Sequence, residues 1–262
     1  MQGKFICHRD FAALRPLDVF HKETEERPLP DVGEKYRNRH ILFRRKFRLD
    51  TCGTAFIDIT ADDYFKLYIN GTFVMQGPPP SYPNAYGYMR ADVGRFLRRG
   101  ENVIAVHTYY QGLVNRVWVS GDLRESFFCE LTADGVPVLV SDEQWKCADH
   151  TAYSDCGRIG YDTAFAERYD SRAPEVGFER TDYDDTAWEN ANIYENADYR
   201  PVKSEIRPLD VYSVRPVTAE QRGDVYFADF GREYVGQVYA KARGRAGDEI
   251  VLRYGEELND DG

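Results

Sequence analysis

The chain has no C-x-x-C pair, and its five cysteines (Cys7, Cys52, Cys129, Cys147 and Cys156) are scattered along 262 residues. Zinc ribbons and disulfide-stapled scaffolds need paired or regularly spaced cysteines, so neither organises this protein. The odd number reads as free thiols in a reducing compartment. Basic charge is also short: 34 Lys and Arg against 44 Asp and Glu leave a net charge of −10. Binding to nucleic acid or to an anionic membrane rests on a basic surface, so neither partner is expected. No apolar run approaches the ~18 residues of a membrane span. The opening MQGKFICHRDFAALRPLDVF lacks the continuous apolar stretch of a signal peptide. A cytoplasmic location follows, or a periplasmic or secreted one if a leader has been removed. Helical periodicity is nearly absent. Gly244 and Gly247 have no strand-to-helix context, so no phosphate loop is read there.

What is present is β-patterning rich in tyrosine, with 19 of them in a chain that is 42% hydrophobic. Residues 54–77, TAFIDITADDYFKLYINGTFVMQG, organise the rest. Phe56, Ile57 and Ile59 lead into an acidic turn at Asp62-Asp63. Phe65, Leu67 and Ile69 then alternate with Lys66, Tyr68 and Asn70, the period of a strand with one buried face. Asn70-Gly71 is a strong hairpin signal, because a type I′ turn needs positive φ at both central residues. Asn70-Gly71-Thr72 also fits the glycosylation pattern, but the turn explains it more economically.

The surrounding chain adds further strands. Residues 1–39 read as an irregular arm punctuated by Pro16, Pro28 and Pro30, and residues 40–49 as a strand. Residues 77–88 hold four prolines and two glycines and are expected to be a long loop carrying Tyr82, Tyr86 and Tyr88. Strands are expected at 102–110, 115–120, 127–131 and 136–140, with another opening at Trp145 and a loop over 148–163. Residues 177–192 form a surface turn anchored by Trp188. From 201 a linker becomes a strand, and VYFADFG, VGQVYAKARG and EIVLRYGEEL read as three more strands. The sum is an all-β protein: a jelly-roll, galactose-binding-like β-sandwich over 40–200, then the beginning of a second, truncated sandwich over 201–262. The final GEELNDDG stops inside a turn signal, as though the natural protein continued.

Three blocks carry a family resemblance. ITADDYFKLYINGTFVMQGPPPSYPNAYGY, DVGRFLRRGENVIAVHTYYQG and NRVWVSGDLR, in that order, resemble the N-terminal β-sandwich of bacterial α-L-rhamnosidases, glycoside hydrolase family 78. AERYDSRAPEVGFERTDYDDTAWENAN is similar to the end of that domain, with Ser171 and Phe178 where the family usually has a small residue and Trp. FADFGREYVGQVYAKARG is similar to the opening of the next domain. The resemblance implies hydrolysis of terminal α-L-rhamnosides by the full-length enzyme, with the catalytic carboxylates on a C-terminal (α/α)6 barrel. It transfers no catalytic residue to this chain, which is expected to be inactive alone. The implied partners are a rhamnose-containing oligosaccharide or glycoside and the catalytic domain of the same polypeptide.

Asp62 and Asp63 are the sharpest local candidates, for sugar hydroxyls or for Ca²⁺, the one cofactor considered. The competing reading is an Asx turn. Tyr82, Tyr86 and Tyr88, with Tyr109 and Tyr110, offer a platform for a sugar or a cover for the core. Trp118 and Trp188 read as structural anchors, and His107 (with Arg116 flanking Gln111-Gly112) as a satisfied buried histidine. Asp182, Asp184 and Asp185 read as a solvated turn. Three roles therefore stand open: accessory part of a rhamnosidase, free-standing carbohydrate-binding module, or purely structural module.

Overall fold

The computed structural model describes residues 1–19, 33–51, 53–114, 120–160 and 163–255. Two units emerge, Met1–Leu209 and Asp210–Gly262. In the first, two sheets enclose one core. The larger sheet holds β1 (Ile6–Cys7), β3 (Ala55–Asp62), β6 (Tyr86–Asp92), β8 (Ser126–Ala133), β9 (Val136–Val140), β14 (Asn192–Ile193) and β15 (Pro201–Lys203). Its order is β14-β1-β8-β3-β6-β15, with β9 pairing with β8. The second sheet holds β2 (Arg39–Leu49), β4 (Tyr64–Ile69), β5 (Thr72–Gly77), β7 (Gly100–Tyr110), β10 (Lys146–Asp149) and β13 (Glu189–Asn190), in the order β13-β10-β2-β7-β4-β5. A separate hairpin pairs β11 (Tyr153–Ile159) with β12 (Ala164–Tyr169).

The period-two patterning decides which side chains meet. Phe65, Leu67 and Ile69 of β4, Ile104 and Val106 of β7, and Ile41 and Phe43 of β2 point inward. They share one core with Ile57 and Ile59 of β3 and Phe127, Cys129 and Leu131 of β8. Each large apolar side chain so buried contributes about 1.5–3 kcal/mol. Asn70 and Gly71 take φ of 51° and 82° at the β4–β5 hairpin, as the turn signal requires. The Asn70 amide is fixed there, donating to Phe96 O and Asn102 Oδ1 while accepting from Val103 N.

Several expectations are corrected. The stretch 54–77 spans both sheets: β3 and β4 are not neighbours, and the acidic turn is the crossover between them. The N-terminal arm is part of the sandwich, since β1 is sandwiched between β8 and β14 and Phe11 is fully buried. The proline loop ends earlier, because β6 begins at Tyr86 and recruits Pro201–Lys203 as a parallel edge. The first unit therefore runs to Leu209 rather than to residue 200. Residues 153–159 and 164–169, within and beyond an expected loop, form the β11–β12 hairpin. Its β11, YSDCGRI, is mostly exposed, so it has no apolar alternation to reveal it.

The second unit contains one hairpin, β16 (Thr218–Arg222) paired with β17 (Val225–Asp229). VYFADFG thus contains a strand, and its partner TAEQR is a fully exposed run with no apolar alternation to mark it. Residues 235–255, expected to supply two more strands, have no strand pairing among the described residues. Residues 20–32 of the arm with Pro28 and Pro30, Cys52, the expected strand at 115–119 with Arg116 and Trp118, and the terminal 256–262 lie outside the described residues. No helix among the described residues is long and apolar enough to cross a membrane.

Candidate functional site

The acidic corner faces inward. Asp62 and Asp63 are 8% and 2% exposed. Asp63 Oδ2 accepts hydrogen bonds from Gln111 N at 2.7 Å and Ser120 Oγ at 2.5 Å. Tyr199 Oη lies 3.0 Å from Asp62 Oδ2 and also reaches the carbonyl of Arg124. One phenolic proton cannot serve both acceptors. Burial, reinforced by the charges of Asp122 and Asp63, holds the Asp62 carboxyl well above the ordinary carboxylate range. The Tyr199 hydroxyl therefore sits between two acceptors, the Asp62 carboxyl and the carbonyl of Arg124. Beside them, Arg124 binds Asp198 in fork fashion at 2.9 and 2.8 Å and Asp122 at 2.8 Å. The corner is an internal polar joint between the sheets.

The three tyrosines take separate positions. Tyr82, on the proline loop, is 66% exposed. Tyr86 is buried on β6, and its hydroxyl donates to Ala61 O at 3.1 Å. Tyr88 is half-buried on the same strand, near the Arg90–Asp58 ion pair. Tyr110 is fully buried and accepts from Leu123 N, while Tyr109 donates to Asn38 Oδ1. Of the expected solvated turn, Asp182 pairs with Arg180 and Asp184 accepts from Thr186 N, but Asp185 is buried against Arg44. Among the described residues no three His, Cys, Asp or Glu side chains are grouped to hold a metal ion.

The groups open to a ligand converge elsewhere, on the outer face of the six-stranded sheet. Register builds a grid there: His40, Tyr109 and Tyr64 lie in one row across β2, β7 and β4; Leu42, His107 and Lys66 in the next; Arg44, Ala105 and Tyr68 in the third. The β11–β12 hairpin and residues 176–179 wall a cleft of about 210 Å³ over this grid. Lys66, Tyr68, His107, His150, Tyr153 and Tyr169 line it. His40 Nδ1 and His107 Nε2 are 3.0 Å apart. His40 stacks on Tyr153 with centroids 3.9 Å apart and 6° between planes. His150 Nδ1 is buried and meets no hydrogen-bond partner among the described residues, a state that costs about 1–3 kcal/mol. The sequence showed His107 but not this assembly, because His150, Tyr153 and Tyr169 sit on and beside strands hidden in a polar stretch.

Two sets of groups make stability depend on pH in opposite directions. Burial, then the neighbouring His150 and Lys66, pushes His40 down to about 3. Burial likewise lowers His107 and His150. The unfolded chain takes up these protons below about pH 6.5 and the fold resists them. Stability from this set is therefore present above pH 6.5 and lost as pH falls toward 3. Burial raises Glu125 to about 8 and, against the pull of Arg124, Asp122 to about 6. Together with Asp62, they contribute stability that is full below the ordinary carboxylate range and lost as pH rises through those values. The expected result is a dome with its maximum at about pH 6. Urea midpoints at acid, near-neutral and alkaline pH check it; a monotonic rise with pH would contradict it.

A two-sheet β-sandwich with an inward-turned acidic joint and an outer cleft lined by histidine and tyrosine is the class of protein these observations define. Comparison with known proteins is specific. Residues 51–213 match the α-L-rhamnosidase N-terminal domain, and residues 219–262 match the bacterial α-L-rhamnosidase concanavalin-like domain. The chain belongs to the bacterial α-L-rhamnosidase family. It is 25% identical to an α-L-rhamnosidase of Alteromonas sp. (strain LOR), the match covering 98% of this chain and 30% of that protein. It is also 25% identical to an α-L-rhamnosidase of Streptomyces avermitilis, over 84% of this chain and 22% of that one. The chain thus spans less than a third of the length of these relatives. Among solved structures, a GH78 family rhamnosidase of Bacillus sp. GL1 superposes with TM-score 0.68 at 23% identity, over 84% of this chain and 21% of that one. The α-L-rhamnosidase from Dictyoglumus thermophilum gives 0.60 at 23% identity, over 89% and 26%. These two likenesses show the fold.

Proposed function

We propose that the chain is the N-terminal accessory β-region of a longer α-L-rhamnosidase and is not catalytic by itself. The observation that carries this is the order of the two family matches, 51–213 and then 219–262, in a chain that covers 30% and 22% of two rhamnosidases. Site chemistry agrees. Glycoside hydrolysis uses two carboxyl groups flanking the scissile bond, roughly 5–9.5 Å apart depending on mechanism. The outer cleft is lined by one carboxylate among the described residues, Glu179. Asp62, Asp63, Asp122 and Glu125 are enclosed in the sandwich, where no glycoside reaches them.

On this reading the catalytic pair comes from another part of the polypeptide, and the substrate is a terminal α-L-rhamnoside. The sandwich contributes a rigid support, built from the two-sheet core and the polar joint at Asp62-Asp63. The test is to express the complete reading frame and assay an aryl α-L-rhamnoside. Release of L-rhamnose by that protein is expected. A folded full-length protein that cleaves other glycosides but no rhamnoside would overturn the assignment.

A further inference from the structure

The geometry points to the cleft over His107 and His150 as a binding site for a single neutral pyranose unit. Its volume, about 210 Å³, is below that of pockets for drug-sized ligands and suits one ring rather than a chain. Donors and acceptors are mixed around it. The Lys66 ammonium and the phenols of Tyr68, Tyr153 and Tyr169 donate, while the Glu179 carboxylate accepts. Imidazoles supply both kinds of group. A vicinal diol, which donates and accepts at neighbouring oxygens, matches such a set.

Charge narrows the class further. Lys66 and Glu179 are the two charged lining residues, and they offset one another. An anion would meet Glu179, and a cation would meet Lys66. Burial, with Lys66 nearby, lowers both lining histidines, His107 and His150, so the cleft disfavours further positive charge.

Aromatic side chains stand at one wall: Tyr153, held face to face on His40, and Tyr169, at 5.0 Å and 63° to Tyr153. His150, beside them, carries the buried Nδ1 that meets no partner among the described residues, so the protein has left hydrogen-bonding capacity at this wall unspent. The grid beneath is fixed by strand register, which holds Lys66, Tyr68 and His107 in place on the cleft floor.

The experiment is calorimetry and ligand-observed NMR on the 262-residue chain, with methyl α-L-rhamnopyranoside, methyl α-D-glucopyranoside and D-glucuronate as probes. At least one neutral methyl pyranoside is expected to bind saturably, and more tightly than glucuronate. Tyr169→Phe and Glu179→Gln each remove one hydrogen-bonding group from a partly exposed position. Each is expected to weaken that binding about fivefold or more. Arg180→Ala, outside the cleft lining, should leave it unchanged, and circular dichroism verifies folding of all three. No saturable binding of a neutral pyranoside, preference for glucuronate, or binding undiminished in both cleft variants would overturn the site. Its failure would leave the rhamnosidase assignment standing, because that is read from hydrolysis by the complete protein.

Discussion

Arg44→Ala is expected to destabilise the first unit by about 3–5 kcal/mol, because it strands a buried carboxylate. Arg44 sits on the outer face of β2 and is 0% exposed. Its guanidinium donates to Phe178 O at 2.9 Å, to Arg180 O at 2.8 Å and to the Asp185 carboxylate. These bonds pin the turn-rich segment 170–188 onto the sheet, where Phe178 packs with Leu42 and Ala105 and is flanked by Tyr68, Tyr183 and Trp188. Truncation leaves two carbonyls and one carboxylate buried without their donor. Urea unfolding measures the loss. Asp185→Ala alone should also be costly, and the double variant should cost less than the sum, since neither charge is then left alone. Additive losses would show that the two residues act separately. By contrast, the exposed Arg180–Asp182 pair should contribute nothing measurable.

Trp145→Ala is expected to cost a similar 3–5 kcal/mol through the cavity it leaves. Trp145 is fully buried just ahead of β10, in the six-stranded sheet, yet it reaches across to the other sheet. Its ring meets Phe127 of β8 edge-on at 5.2 Å, and its indole donates to Val140 O of β9 at 2.8 Å. Ala191 N donates to its carbonyl at 2.7 Å, which ties in the chain between β13 and β14. One side chain therefore locks both layers. A fall in Tm of about 6–20 °C follows for a unit of this size. Trp145→Phe keeps most of the packing but leaves Val140 O without its donor, and should cost about 1–3 kcal/mol. A small effect of the alanine variant would mean that the two sheets are held together elsewhere.

The fold was legible wherever a strand had one dry face. Phe65, Leu67 and Ile69 alternate cleanly because β4 lies between β5 and β7 with its inner face in the core. Asn70-Gly71 declared its turn because few other residues accept those φ values. The separation of β3 and β4 into different sheets was not legible: both patterns are strands, and nothing local says that the chain changes sheets at Asp62-Asp63. The exposed β11–β12 hairpin was invisible for the opposite reason, having almost no buried face. With it went the cleft, whose groups come from β2, β4, β7 and a hairpin that the sequence presents as loop. Asp62 and Asp63 stood out for their charge, whereas burial decides their role, and burial depends on Tyr199, more than 130 residues away.

The account turns on the acidic side chains of this chain being structural. The most direct measurement is hydrolysis of 4-nitrophenyl α-L-rhamnoside by the purified 262-residue chain, with protein in excess over substrate. No release of nitrophenol above the buffer rate is predicted. Release that disappears on substituting Glu179, or any one of the buried carboxylates in a variant that still folds, would contradict it.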